Sequence, residues 1–323
     1  MKIATFNMES FGNDRHDPEE LQPRLEALRP KILELEADIL CLQEVNAQKL
    51  KGVAARQFQA LDLLLKDTPY ETFHRATSHR PSGKGPGDRH NLVILSRYPI
   101  TQTESLYQAH AHPARWQPKS ANPPYETPET IAFDRPVLKT QIDIGGARPL
   151  HLFGVHLRAP IAAMIRGGKN PDRSWTSISA WAEGYHLSVL KQTAQALELR
   201  LAVEDIFDRD EGALIVLAGD FNATSETGTI RLLRADPDDT GSPQLERRRL
   251  YQLDAALPPE RRKTVIHRGK GQALDHILAS PAMAGRTTHV KVFNYDLLDE
   301  VFDNRGEDFA GSYHAAMLAE FDD

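Results

Sequence analysis

Seven polar residues stand where strand-like runs of the chain end or begin. Asn7 follows residues 3–6, Glu44 follows 39–43, His156 follows 152–155, and Asp220 and Asn222 follow 214–219, while Asp275 and His314 open runs late in the chain. Carboxylates, carboxamides and imidazoles are the groups that hold hard cations and move protons. Strand ends project such groups from a rigid core into a shared mouth, and antiparallel neighbours would bring Asp275 and His314 to the same rim. Each residue taken alone has a plainer reading. Gly219-Asp220-Phe221-Asn222 reads as a turn, because Asp and Asn bond their own backbone. Glu44 reads as a solvated strand-end carboxylate, His156 and His314 as satisfied structural histidines, Asn7 as a turn residue and Asp275 as a cap.

The elements that must position these groups follow from periodicity. Residues 2–7 alternate as a strand. Asp17-Pro18-Glu19-Glu20 offers an N-cap, a proline at the first helical position and an N3 carboxylate, so a helix should begin there. Leu25, Leu28, Ile32 and Leu35 continue its stripe, and Pro30 should kink or divide it. A short buried strand returns over 38–44, a second amphipathic helix carries Phe58, Leu61, Leu64 and Leu65, and strands follow near 70–76 and 91–96 with a Pro/Gly-rich loop between them. After a second long loop holding Pro113, Pro118, Pro123, Pro124 and Pro128, strands are predicted over 137–144 and 150–156. Residues 157–181 are too long and irregular for a mere connector, and such loops are often functional. Leu187, Leu190, Ala194, Leu197 and Leu201 mark a helix, then strands follow over 213–218, 274–280, 289–293 and 314–321. Strands dominate and helices follow several of them, which favours a layered α/β sandwich in one domain over residues 1–323.

The order of the motifs changes the weight of the single residues. Thr5-Phe6-Asn7, Leu42-Gln43-Glu44-Val45, the run 91–99 (NLVILSRYP), Val155-His156-Leu157, Gly219-Asp220-Phe221-Asn222, Leu274-Asp275-His276-Ile277-Leu278 and Ser312-Tyr313-His314 occur in sequence across nearly the whole chain. Together they resemble the endonuclease/exonuclease/phosphatase superfamily, which includes pancreatic-type deoxyribonucleases, abasic-site endonucleases, inositol polyphosphate 5-phosphatases and sphingomyelinases. The resemblance implies a four-layer α/β/β/α sandwich, with two mainly antiparallel or mixed sheets packed face to face and an active site at the edge where strand ends meet.

Hydrolysis of an anionic phosphate ester needs a cation, a positioned water and a stabilised leaving group. Hard oxygen ligands suit Mg²⁺ or Mn²⁺. By resemblance, Glu44 is the first metal ligand, and Asn7 completes or steadies that site through its amide oxygen. Asp220 would orient or deprotonate the attacking water, Asn222 would donate to a phosphate oxygen, and Asp275 would hold the His314 imidazole in one tautomer. His156 would bind a second phosphate oxygen or assist the leaving group. One departure stands out: Tyr313 occupies the place of the usual Asp in Ser-Asp-His, so a carboxylate near the metal is missing. Glu307 or Asp308 is a candidate to compensate, and the tyrosine could bind phosphate or merely cap the site.

Composition bounds the rest. The 323 residues carry a net charge of −6, which works weakly against a general polyanion binder, although Arg75, Arg80, Lys84, Arg89 and Arg97 form one basic cluster and Arg158, Arg166, Lys169 and Arg173 another. Cys41, the single cysteine, excludes an intramolecular disulfide and a cysteine zinc cluster, and its apolar surroundings read as a buried structural thiol. With no signal-like or membrane-length apolar run, a cytoplasmic protein without a membrane span or an obligate protein partner is expected. The leading reading is a metal-dependent phosphodiesterase, preferably a nuclease, with Trp116, Trp175, Trp181 and Tyr185 available either to stack bases or to pack. A phosphatase or phospholipase for a small phosphorylated molecule, with 157–181 as a lid, is the second, and an inactive binding protein on the same scaffold is the third.

Overall fold

The computed structural model describes residues 1–13, 18–303 and 309–322. The strands in chain order are β1 (Lys2–Phe11), β2 (Ile39–Val45), β3 (His74–Thr77), β4 (Asn91–Ser96), β5 (Ile100–Leu106), β6 (Arg115–Trp116), β7 (Glu129–Thr130) and β8 (Val137–Ile142). They continue with β9 (Leu150–His156), β10 (Leu214–Asp220), β11 (Tyr251–Gln252), β12 (Val265–His267), β13 (Lys270–Gln272), β14 (Asp275–Ala279), β15 (Thr287–Val292) and β16 (Met317–Phe321). Two six-stranded sheets result, ordered β15-β16-β1-β2-β4-β3 and β11-β14-β10-β9-β8-β5. Both are mixed, with β1/β2 parallel in the first and β9/β10 parallel in the second.

Alternation along the strands builds the layers. In β1, Ile3 faces the second sheet while Ala4, Phe6 and Met8 face outward, where Leu25, Leu28 and Ile32 of α1 (Pro18–Glu34) and Leu61 and Leu64 of α2 (Gln59–Leu65) cover them. In β10, Leu214, Val216 and Ala218 face the first sheet, while Ile215 and Leu217 pack under Leu199, Val203 and Phe207 of α3 (Ile178–Phe207) and Ile230 of α4 (Gly228–Arg234). The order is helices, sheet, sheet, helices, the four-layer sandwich that the resemblance implies. Cys41 is fully buried between the sheets, and burial pushes its thiol up to about 12.

Four local expectations are corrected. Pro23 and Pro30 lie inside an unbroken α1: the tertiary packing of its apolar face outweighs the hydrogen bonds the prolines remove. The cap expected at Asp17 lies outside the described residues. Tyr70 is in a 3₁₀ turn (Pro69–Thr72), not a strand, because Thr68 accepts its N–H and its hydroxyl both donates to the Ile32 carbonyl (3.0 Å) and accepts from the Ala37 N–H (2.9 Å). The 157–181 loop ends earlier, at Ser177, whose Oγ accepts the Ala180 N–H and starts α3, so Trp181 and Tyr185 are helical. Within α3 only glycine fits at position 184, since a Cβ there would lie 2.3 Å from the Ala163 carbonyl oxygen. His314 precedes β16 instead of opening it.

The excursion between β5 and β8 is pinned to α3 by a buried carboxylate. Glu198, 0% exposed, accepts the backbone N–H groups of Ala109 (2.7 Å), His110 (3.0 Å) and Ala111 (2.7 Å). Glu198→Gln loses the charge and turns one acceptor into a donor facing donors, so it should cost about 2 kcal/mol. Urea unfolding with an unchanged slope and a lower midpoint is the expected result; an unchanged midpoint would contradict this role.

Candidate active site

Three candidate residues come from adjacent strands at one rung of the second sheet. β9 and β10 run parallel with Asp220 opposite His156, and β14 runs antiparallel to β10 with Asp275 opposite Asp220. Gly219 permits this register, because a Cβ on it would stand 1.9 Å from the Val155 carbonyl oxygen. The turn after it holds Asp220 firmly. Asn222, in the left-handed region at φ +50°, donates its backbone N–H to Asp220 Oδ1 (2.8 Å) and its side-chain amide to Oδ2 (3.1 Å) and to the Leu157 carbonyl (3.1 Å). Asp275 Oδ2 lies 2.8 Å from His314 Nδ1.

The first sheet supplies the opposite wall. Asn7 Nδ2 donates to Asp220 Oδ2 at 3.0 Å, spanning the two sheets, while its Oδ1 accepts the Glu9 N–H. The β1/β2 pairing shifts register between Asn7 and Phe11, and Glu9 and Ser10 both have positive φ (+47° and +50°), a bulge that turns the chain toward the site. Arg24 braces it by donating to the Met8 and Glu9 carbonyls. Glu44, itself at φ +58°, accepts the Ser10 N–H at 3.0 Å, and its carboxylate lies 3.1 Å from His90 Nδ1 and 3.6 Å from His156 Nε2. His156 Nε2 is also 3.5 Å from Asp220 Oδ2 and meets the Arg135 guanidinium. That donor makes Nε2 an acceptor and assigns the ring proton to Nδ1.

The charges differ sharply over a short distance. Burial pushes the Glu44 carboxyl up, but the contact with His90 and the electrostatic pull of the surrounding histidines and Arg135 outweigh it, leaving the group well below the carboxylate range. Burial and the neighbouring Asp275 raise Asp220, against the pull of His314, the Asn222 N–H and the Asn7 amide. Burial alone would lower His314; Asp275, Asp220 and Glu9 overcome it and lift the imidazole to about 10. Burial and Arg135 hold His156 well below 6.5, so its approaches to Glu44 and Asp220 are contacts of a neutral ring rather than ion pairs.

All seven residues named from the sequence meet at this edge. Tyr313 is turned aside: its hydroxyl donates to the Asp303 carbonyl (3.3 Å) and its ring packs on Phe309 (4.2 Å between centroids), while its backbone N–H donates to Glu9 Oε1 at 3.1 Å. Glu307 and Asp308 lie outside the described residues. The basic clusters are partly internal, with Arg75 on Asp62, Arg97 on Asp38, Arg166 over Tyr125 and Lys169 over Trp175. Sequence reasoning missed His90, Arg135, Glu9 and Arg24. His90 precedes β4, which is antiparallel to β2, and Arg135 precedes β8, which is antiparallel to β9, so the strand-beginning criterion that found Asp275 also reaches both. Glu9 and Arg24 depend on the bulge, which has no periodic signature.

The donor set fits a hard divalent cation. Carboxylate oxygens of Asp220 and Asp275 lie with a ring nitrogen of His314 within 4.8 Å of one another, and Glu44 faces them across His156. Asp275 Oδ1 is buried with no hydrogen-bond partner, and the two carboxylates on neighbouring strands repel, which the His314 cation offsets only in part. Oxygen-rich sets of this kind suit Mg²⁺ or Mn²⁺ rather than a thiophilic metal.

Fold and site together define a phosphoesterase scaffold, and sequence comparison agrees. The Endonuclease/Exonuclease/phosphatase family profile matches residues 4–295, so the chain belongs to this family of metal-dependent phosphoesterases. Among solved structures it is similar to an endonuclease/exonuclease/phosphatase family protein from Leptotrichia buccalis (16% identity, TM-score 0.53, 100% of this chain and 99% of that one). It is also similar to truncated Caenorhabditis elegans TDP2 (14%, 0.56, 99% and 96%) and to the 3′-5′ exonuclease NExo from Neisseria meningitidis (20%, 0.55, 100% of both). At these identities the likeness is one of fold. No curated protein sequence matches. No helix among the described residues is long and apolar enough to cross a membrane.

The Asp275–His314 pair makes a direct prediction. A histidine whose folded pKa is raised contributes stability fully present below its unfolded value near 6.5. That contribution fades as pH rises through about 10. In metal-free protein, the His314 imidazole should stay protonated at pH 8 by nitrogen-15 NMR, and Asp275→Asn should return it to neutral there. A wild-type titration near pH 6.5 would contradict the pairing.

Proposed function

We propose that this chain hydrolyses phosphodiester bonds, with nucleic acid the preferred substrate, by in-line attack of water activated at Asp220. The observation that carries the reading is the fixing of Asp220 by two side-chain amides and one backbone N–H, with neutral His156 and cationic His314 on either side of it. A carboxylate held so rigidly, with its affinity for a proton raised, suits the acceptance of a proton from water. Glu44, ionised and facing the same space, is the residue proposed to hold Mg²⁺ or Mn²⁺, with Asn7 steadying Asp220 beside it. When bound, the ion supplies neutralisation of phosphate oxygens.

The remaining groups have complementary tasks. The His314 imidazolium, oriented by Asp275, offers Nε2–H to a phosphate oxygen or to the leaving oxygen. Arg135 adds a donor at the rim, Asn222 donates its amide to Asp220 and Leu157 and so orients the carboxylate, and neutral His156 lies between Glu44 and Asp220. The similarity to NExo, described as a 3′ phosphatase bound to product DNA hairpin and as a 3′-5′ exonuclease, supports a polynucleotide end as substrate and keeps a terminal phosphomonoester as the second reading.

Bis-p-nitrophenyl phosphate, single-stranded and plasmid DNA, RNA and a 3′-phosphorylated oligonucleotide form the test panel. Turnover should vanish with chelator and return with Mg²⁺ or Mn²⁺. Asp220→Ala should lower kcat by about 10³-fold while circular dichroism stays unchanged. Metal-independent turnover, or none across the panel, would remove this reading.

A further inference from the structure

A recess of about 320 Å³ lies between the β5–β8 excursion, the 157–177 loop and the first half of α3. Its walls include Trp116 and Tyr125 from the excursion, Ile165 from the loop, Leu187 and Lys191 from α3, and Arg158. It adjoins the catalytic edge. Arg158 follows His156 by two residues, at most about 7 Å of extended chain. Asp134, another wall residue, precedes the Arg135 that meets His156, and Gln192, next to Lys191, donates to the Asn222 carbonyl at 2.8 Å.

The recess is built before any ligand arrives. Asn122 N–H donates to the Arg166 carbonyl (2.8 Å), and the segments approach so closely that a Cβ on Gly167 would stand 2.1 Å from the Asn122 oxygen. Glu183 of α3 accepts the N–H groups of Lys119 (2.9 Å) and Ser120 (2.8 Å), locking the excursion to the helix. Pre-formed recesses are the usual seats of small organic groups, and this one, lined about equally by apolar and polar surface, is at the small end of their range.

Its chemistry selects among occupants. Arg158 and Lys191 both reach Asp134 (3.6 and 2.8 Å) and Glu129 is a second carboxylate of the wall, so its two cations are matched by two anions and the interior is not made for a phosphate. Trp116 presents a broad aromatic wall, backed by His186 at 4.7 Å, and its Nε1 is buried with no acceptor. A flat heterocycle stacks on the indole face, and its polar edge suits a wall that carries charged and hydroxyl groups, which a hydrocarbon chain does not.

We infer that this recess binds a nucleobase of the strand whose phosphate is at the catalytic edge, taken out of any helix. The inference rests on the phosphodiester reading for the phosphate's position. A base enclosed in the recess cannot pair or stack in a duplex, so the site selects unpaired nucleotides, for which no unstacking cost arises.

Binding is tested apart from turnover, in EDTA, by anisotropy of fluorescein-labelled eight-residue single strands: oligothymidylate, its base-free tetrahydrofuran analogue, and a duplex. Wild type should prefer the base-bearing single strand to both others by about ten-fold. Trp116→Ala should erase most of that preference and change base-free binding less than about two-fold, while Trp116→Phe, which keeps a smaller stacking face, should fall between. Equal losses on base-bearing and base-free strands, or equal wild-type affinity for single strand and duplex, would overturn the inference. Selective binding that survives without hydrolysis when Mg²⁺ is restored would support the recess and count against the hydrolytic reading alone.

Discussion

The hydrogen bond from the Asn7 amide to the Asp220 carboxylate joins two sheets whose shared core is apolar. It ties the end of β10 in one sheet to β1 in the other, so the rim is one site rather than two. Everything else at the edge depends on that fixed relation. Gly219 lets β10 approach β9 closely enough for Asp220 to lie beside His156, and the β1 bulge brings Ser10 under Glu44. Removing the amide would leave a buried carboxylate short of a donor at the place where its orientation matters most.

Electrostatics then divides similar groups into different tasks. Glu44, surrounded by His90, His156 and Arg135, stays ionised; Asp220, beside Asp275, is held toward protonation. His156 and His314 diverge in the same way, one neutral beside Arg135 and one charged between carboxylates. A site with an ionised carboxylate, a raised one and a cationic imidazole within one rim has the kinds of group that hydrolysis at a phosphate uses. The folded backbone sets these differences, since the residue types alone do not.

Much of this arrangement was legible in the sequence because strands have a simple period. Ile3 and Ala4, or Leu214 and Ile215, face opposite layers as alternation requires, and strand ends marked Asn7, Glu44, His156 and Asp220 as neighbours of one edge. What periodicity cannot express stayed hidden. The bulge at Glu9 and Ser10 depends on left-handed backbone and on Arg24 from a distant helix, and the early start of α3 depends on the Ser177 cap and on a close contact of Gly184 with Ala163. Pro30 misled in the other direction, because local propensity yielded to packing. Tyr313, at the position of the usual Asp, donates its backbone N–H to Glu9, 304 positions earlier, a pairing no local pattern contains.

The central claim is that groups from both sheets surround one reacting phosphate and its cation. Crystals soaked in Mn²⁺ and measured at the manganese absorption edge test it most directly. The account predicts an anomalous peak at the rim with Glu44 of the first sheet and at least one carboxylate of the second as ligands, directly or through water. A peak bound to one sheet alone and remote from Asp220, or no peak at this edge in protein that turns over with Mn²⁺, would contradict it.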